Sequence, residues 1–269
     1  MFGVYIQMLK DKWKSLLVYI GSALAFSEMY VALYPAMKDA MKDMEQIFAA
    51  FPAEFMEAFG FSMEDLTFPT LESFLSTEMY NFMWPIILVI IVIGLANFAI
   101  SGDIAKGTIE LPLSQPISRI KLYVARYLAG LTNILVFVWA STFGIILLAM
   151  MHGIEYNLES YLYMSILGSM FGAAIYGIAF FASALFSDKG KPTFITVGIL
   201  LTMYAGNIIS GLYDKLENLQ YVSFFHYFDP GTAFNDLELI EYAIPIFLGV
   251  AIITPLVGAF IFNRRNIAT

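Results

Sequence analysis

Six apolar stretches set the terms for how this chain can fold. They run roughly Leu16–Tyr34, Tyr80–Ile100, Leu122–Met151, Tyr161–Phe186, Thr193–Leu212 and Tyr242–Phe262. A helix rises about 1.5 Å per residue, so ~30 Å of hydrocarbon takes about 20 residues to cross. Each stretch meets that length. Of the 269 residues, 59% are hydrophobic and only 13% charged, about half the charged share of a soluble domain. One water-soluble core has no room for so much apolar surface, so lipid must cover part of it. The expected fold is an all-α membrane protein with six transmembrane helices, a single transmembrane domain over residues 1–269.

The basic residues give an orientation. Lys10, Lys12 and Lys14 precede the first stretch; Lys106, Arg119, Lys121 and Arg126 follow the second. Lys189 and Lys191 precede the fifth, and Arg264 and Arg265 follow the sixth. Of the 14 Lys and Arg, only Lys38, Lys42 and Lys215 fall on the other side. The basic side is expected to be cytoplasmic, with both termini there, in a multi-pass protein of the cell membrane. Acidic residues, Glu72, Glu155 and Asp229 among them, gather on the opposite side and are expected to form a solvated outer face. Trp13, Tyr34, Tyr80, Trp84, Tyr123, Tyr161 and Tyr242 sit where interfacial anchors would.

Residues 1–15 read as an interfacial helix, because Phe2, Tyr5, Ile6, Leu9 and Trp13 recur at spacings of three and four. Lys10–Lys14 before an apolar run resembles a cleaved leader, but the run continues to Tyr34, so cleavage is not expected. Residues 38–77 are expected to hold one or two amphipathic helices on the outer surface. Residues 214–240 carry Tyr221, Phe224, Phe225, Tyr227 and Phe228, and a short re-entrant helix is expected there.

Much chemistry is excluded. With no cysteine there are no disulfides, thiolate metal sites or Cys nucleophiles. His152 and His226 make a poor metal site. Lys189-Gly190-Lys191-Pro192-Thr193 places Pro where a P-loop helix would start, and no other nucleotide motif is present. No catalytic residue and no resident cofactor is therefore expected.

The most informative stretch is the loop between the second and third spans, residues 102–120. Gly107-Thr108 reads as a cap, Ile109–Ser114 as a short helix along the membrane surface, and Gln115-Pro116 as its end. Asp103 through Gly107-Thr108, then Leu111–Ser114 and Pro116-Ile117-Ser118-Arg119, resembles the ABC-2 type permease family. Members carry an acidic residue and a Gly-Thr pair leading to an LLLS-x-PISR run; Pro112 here stands where Leu is usual. The resemblance implies an ABC-2 (type V exporter-like) fold. It also implies that this loop is a cytoplasmic coupling helix docked on a separate ATPase chain. The residues carried over are Asp103, Lys106, Gly107, Thr108, Glu110, Leu111, Leu113, Ser114, Pro116, Ser118 and Arg119.

The implied function is that of a permease subunit of an ATP-driven exporter. It would pair with a second copy or a similar permease, and ATP and Mg would be bound by the ABC ATPase partner. The other expected partner is the lipid bilayer, with no nucleic acid. Two other readings stay open: a non-transporting assembly or sensor subunit, and an ion-driven secondary transporter working through Glu28. For the substrate pathway the candidates are Glu28, Asn97, Asn207 and Ser210, polar residues inside spans. Gly168 and Gly172 form a small-residue face suited to close helix packing.

Overall fold

The computed structural model describes residues 1–48, 68–109, 117–188 and 190–265. The described elements are all helical. They are α1 (Phe2–Phe48), α2 (Leu71–Leu75, continued by a π-helical turn Ser76–Tyr80), α3 (Met83–Ala99), α4 (Ser101–Ala105) and α5 (Arg119–His152). Then follow α6 (Leu158–Leu185), α7 (Gly190–Leu212), a 3-10 stretch Asp214–Val222, α8 (Phe224–Tyr227), a π turn Thr232–Asp236 and α9 (Ala243–Arg264). Among the described residues, 5 helices are long and apolar enough to cross a membrane unaided: α1, α5, α6, α7 and α9. The second apolar stretch forms a bent pair, Leu71–Tyr80 and Met83–Ala99 meeting at 53°, which makes a sixth candidate span when the pair is taken as one.

Pro85 explains the break. It has no N–H to offer the carbonyl of Asn81, and its ring would collide with that carbonyl in a continuous helix. The chain therefore leaves helical geometry at Phe82, with φ −134° and ψ −58°. Pro85 then falls in the first turn of α3, where the missing donor costs nothing.

Residues 2–15 are helical and run into the first span without interruption. No proline occurs before Pro35, and nothing between Gly3 and Tyr34 stops the hydrogen-bond ladder. The result is one helix of 47 residues, about 70 Å long. The outer amphipathic segment expected over residues 38–77 is partly the end of this helix and partly α2; residues 49–67 lie outside the described residues.

α6 is the axis of the bundle, with 78% of its apolar window buried, against 17% for α1 and 17% for α7. Its small residues permit this. A Cβ at Gly168 would lie 2.7 Å from the Trp84 ring, and one at Gly172 would lie 2.9 Å from Ile134. At Gly177 it would lie 2.5 Å from the Thr254 hydroxyl of α9. At Gly168 and Gly172, α6 lies close against α3 and α5.

Several expected interfacial aromatics are instead core. Tyr80, Trp84, Tyr123 and Tyr161 are buried, whereas Trp13 and Tyr242 remain exposed. The loop aromatics come inward to meet them. Phe228 stacks on Phe171 at 4.2 Å and on Trp84 at 6.2 Å. Short helical pieces, in place of one re-entrant helix, carry them there. Offset-stacked and edge-to-face ring pairs of this kind contribute beyond the area they bury. Glu72 also departs from expectation. It is buried, and its carboxylate accepts the N–H of Asn157 at 2.8 Å, which fastens α2 to the start of α6.

Candidate functional site

The turn between the second and third spans is built around Asp103. α3 ends at Ala99, and after Ile100 the single turn α4 brings Asp103 back toward the bundle. The backbone carbonyl of Asp103 accepts the N–H groups of Thr108 (2.9 Å) and Ile109 (3.2 Å). Closing so tight a turn needs a left-handed residue, which Gly107 supplies at φ 69° without a Cβ penalty. The Thr108 hydroxyl donates to Asp103 Oδ1 at 3.1 Å. The other carboxylate oxygen meets Arg126 Nη2 of α5 at 2.6 Å. Arg126 Nη1 donates to the carbonyl of Ala99, the last residue of α3. Arg126 is therefore spent on joining the end of α3 to α5. Lys106 is exposed beside this turn.

A serine pair holds the α3–α4 junction. Ser183 of α6 accepts the Ser101 N–H at 3.0 Å and donates to the Ala96 carbonyl at 2.9 Å. It satisfies a donor and an acceptor that the break would otherwise leave buried and unpaired.

At the exit of the loop, the Ser118 hydroxyl accepts the Lys121 N–H at 3.3 Å and caps α5. Arg119 donates to the carbonyl of Arg265 at 2.6 Å. Arg265 in turn donates to the carbonyls of Ala184 (2.8 Å) and Phe186 (3.2 Å) at the end of α6. Burial holds the Arg265 guanidinium below its usual pKa. Glu110, Leu111, Leu113, Ser114 and Pro116 lie outside the described residues, and the expected coupling helix lies there with them.

The candidate pathway residues do not come together. Asn97 donates to the Thr193 hydroxyl at 2.7 Å and accepts from Ser101 at 3.3 Å, tying α3 to the first turn of α7 and to α4. Asn207 and Ser210 stand near the other end of α7. They wall a 310 Å³ cavity with Asn81, Gln220, His226 and Asp229. Asn81 belongs to the break in the second span, so the bend and these two residues open on one space. Burial lowers the His226 pKa, and the neighbouring Asp229 opposes that shift.

Glu28 is elsewhere. Its Oε1 lies 2.7 Å from Nε2 of His152, with the two side chains 39% and 33% exposed. His152 closes α5, where Gly153 (φ 64°) terminates the helix. From sequence alone His152 stands out only as a poor candidate metal ligand. Its place at the end of the third span, level with an acid inside the first, was the signal that could have paired them. Among the described residues no group of three or more His, Asp or Glu could hold a metal ion.

One family model matches this chain: ABC-2 family transporter protein, over residues 5–267. A search of curated proteins returns no match. The match takes in every span, the Asp103–Arg126 turn and the Arg119–Arg265 contact. The chain belongs to the ABC-2 transporter family and is a multi-pass membrane component, the permease, of an ABC transporter.

Proposed function

We propose that this permease serves an exporter, that two permease chains form its path, and that separate ATPase chains drive it from the basic end. That end faces the cytoplasm in this reading, because Lys and Arg concentrate there. ATP and Mg belong to the ATPase chains. The observation that carries the reading is the closed Asp103–Thr108 turn, locked to α5 through Arg126. Such a turn gives the following segment a rigid base. A push on residues 107–119 then reaches α3 through Ala99 and α5 through Arg126 and Ser118, instead of being absorbed in a slack loop. ATP binding and hydrolysis would shift the balance between inward- and outward-open arrangements only through contacts that differ between them, and this turn is well placed to differ.

The substrate would pass along α3 and α7, which carry Asn97, Asn207 and Ser210. Glu28 has its place in the fold as the partner of His152, and a transport role for it is a weaker part of the proposal.

Affinity purification of the tagged chain from its native membrane tests the reading. The expected result is co-purification of a P-loop ATPase whose hydrolysis changes on reconstitution with the permease. Gly107→Pro removes the left-handed turn and should break that coupling while the chain still inserts and folds. A chain that never brings down an ATPase, or a Gly107→Pro variant that couples like wild type, overturns it.

A further inference from the structure

Arg119 is oddly placed for local helix stability. It lies in the first turn of α5, where the helix dipole disfavours a positive charge. Its guanidinium is held instead by the carbonyl of Arg265, at 2.6 Å. Arg265 follows the last turn of α9, and its own guanidinium reaches across to α6. There it takes the carbonyls of Ala184 and Phe186, at 2.8 and 3.2 Å, and the Ser187 hydroxyl. The last carbonyls of a helix have no partner within it and form the negative pole of its dipole, so a planar cation with several donors suits them. No carboxylate pairs with either arginine among the described salt bridges. One residue thereby joins the end of the fourth span, the end of the sixth and the start of the third, at the exit of the loop.

We infer that Arg265 is a positioning residue of energy coupling. It makes α5, α6 and α9 answer as one body when the loop is displaced. The inference rests on the proposed role of that loop and extends it to the tail of the chain. α6 and α9 already fit closely at Gly177, so a displacement delivered to their shared end is carried along both. Without the Arg265 side chain, Arg119 still reaches the residue 265 carbonyl, but the tie to α6 is gone.

The chain has no cysteine, so one introduced at Leu158 can be labelled alone with bimane. Leu158 is exposed and begins α6 at the far end of the bundle. The permease–ATPase complex in nanodiscs is compared in the resting state and after trapping with ATP and vanadate. In wild type, trapping shifts the bimane emission. Arg265→Ala is expected to abolish the shift while the complex stays assembled and hydrolyses ATP. Arg265→Lys, with a cation but no planar fork, should restore part of it. A full shift in Arg265→Ala overturns the inference. So does loss of assembly in Arg265→Ala that Arg265→Lys leaves unrepaired, because that marks a role in folding only. A wild-type complex without an ATPase brings down the coupling reading as well, and shows itself before any variant is made.

Discussion

Asp103 and Arg126 face one another across 2.6 Å, one from the single turn that ends the second span and one from the third helical span. Each also serves a backbone: Asp103 closes its own turn and Arg126 takes the Ala99 carbonyl. Arg126→Leu leaves a half-buried carboxylate and an unpaired carbonyl. It should cost about 2–4 kcal/mol. Asp103→Asn keeps the turn's hydrogen bonds and should cost less. A double-mutant cycle read by thermal unfolding in detergent should give a coupling energy of at least about 1 kcal/mol; additive losses would mean the pair is not acting as a unit.

The glycines of α6 predict a second result. Gly172→Leu must push Ile134 and Leu88 aside, since even a Cβ would lie 2.9 Å from Ile134 and 3.3 Å from Leu88. Overpacking of this kind costs about 1–3 kcal/mol. Gly198→Leu on α7, where nothing lies within 4 Å, should leave the isolated chain's stability unchanged. Comparing the two melting temperatures separates a packing role from a general dislike of bulk.

Glu28 and His152 form a tie between α1 and α5. Because α1 is little buried, this contact should matter for where the helix sits more than for whether the bundle folds. Glu28→Gln and His152→Gln should each loosen α1 around Glu28, and the double variant should add little to either. Hydrogen exchange over residues 20–34 is the measurement. Strictly additive effects would show that the two residues act apart.

His226 makes a pH prediction. Burial lowers its folded-state pKa below the usual 6.5, with Asp229 only partly offsetting that. The unfolded chain therefore binds this proton more readily than the folded one. Stability therefore rises with pH between the folded pKa and 6.5, and acidification through that window weakens the packing around His226. Protection factors over residues 214–239, which remove the pH dependence of intrinsic exchange, should fall as pH drops below 6.5, and His226→Gln should flatten that response.

Much of the fold was legible because its cause is local. Apolar length alone locates the spans, and the loop motif carries the family. Pro85 lay in plain view as the reason for the bend, since a proline four residues after Asn81 denies that carbonyl a donor. What the sequence could not show depends on neighbours far along the chain. Trp84 reads as a membrane anchor until Phe228 arrives to stack on it. Glu72 reads as a solvated acid until the N–H of Asn157 claims it. Arg126 reads only as one of the basic residues that orient the chain, and only the returning turn at Ser101–Ala105 brings Asp103 within reach. At the candidate site, side-chain types were readable but the pairings were not.

The bent second span and the continuous α1 amount to a bow and its string. Above the break, Tyr34 and Lys38 of α1 donate to the carbonyl of Pro69, at 3.1 and 2.9 Å. Below it, the Lys12 ammonium sits 3.5 Å from the centre of the Phe98 ring. Straightening a 53° bend between arms of these lengths would lengthen the bow by about 4 Å, most of one helical turn. A continuous helix cannot stretch to match. Either the bend persists or one of the fastenings slips, so the curvature of the second span and the seating of the first are two readings of a single coordinate.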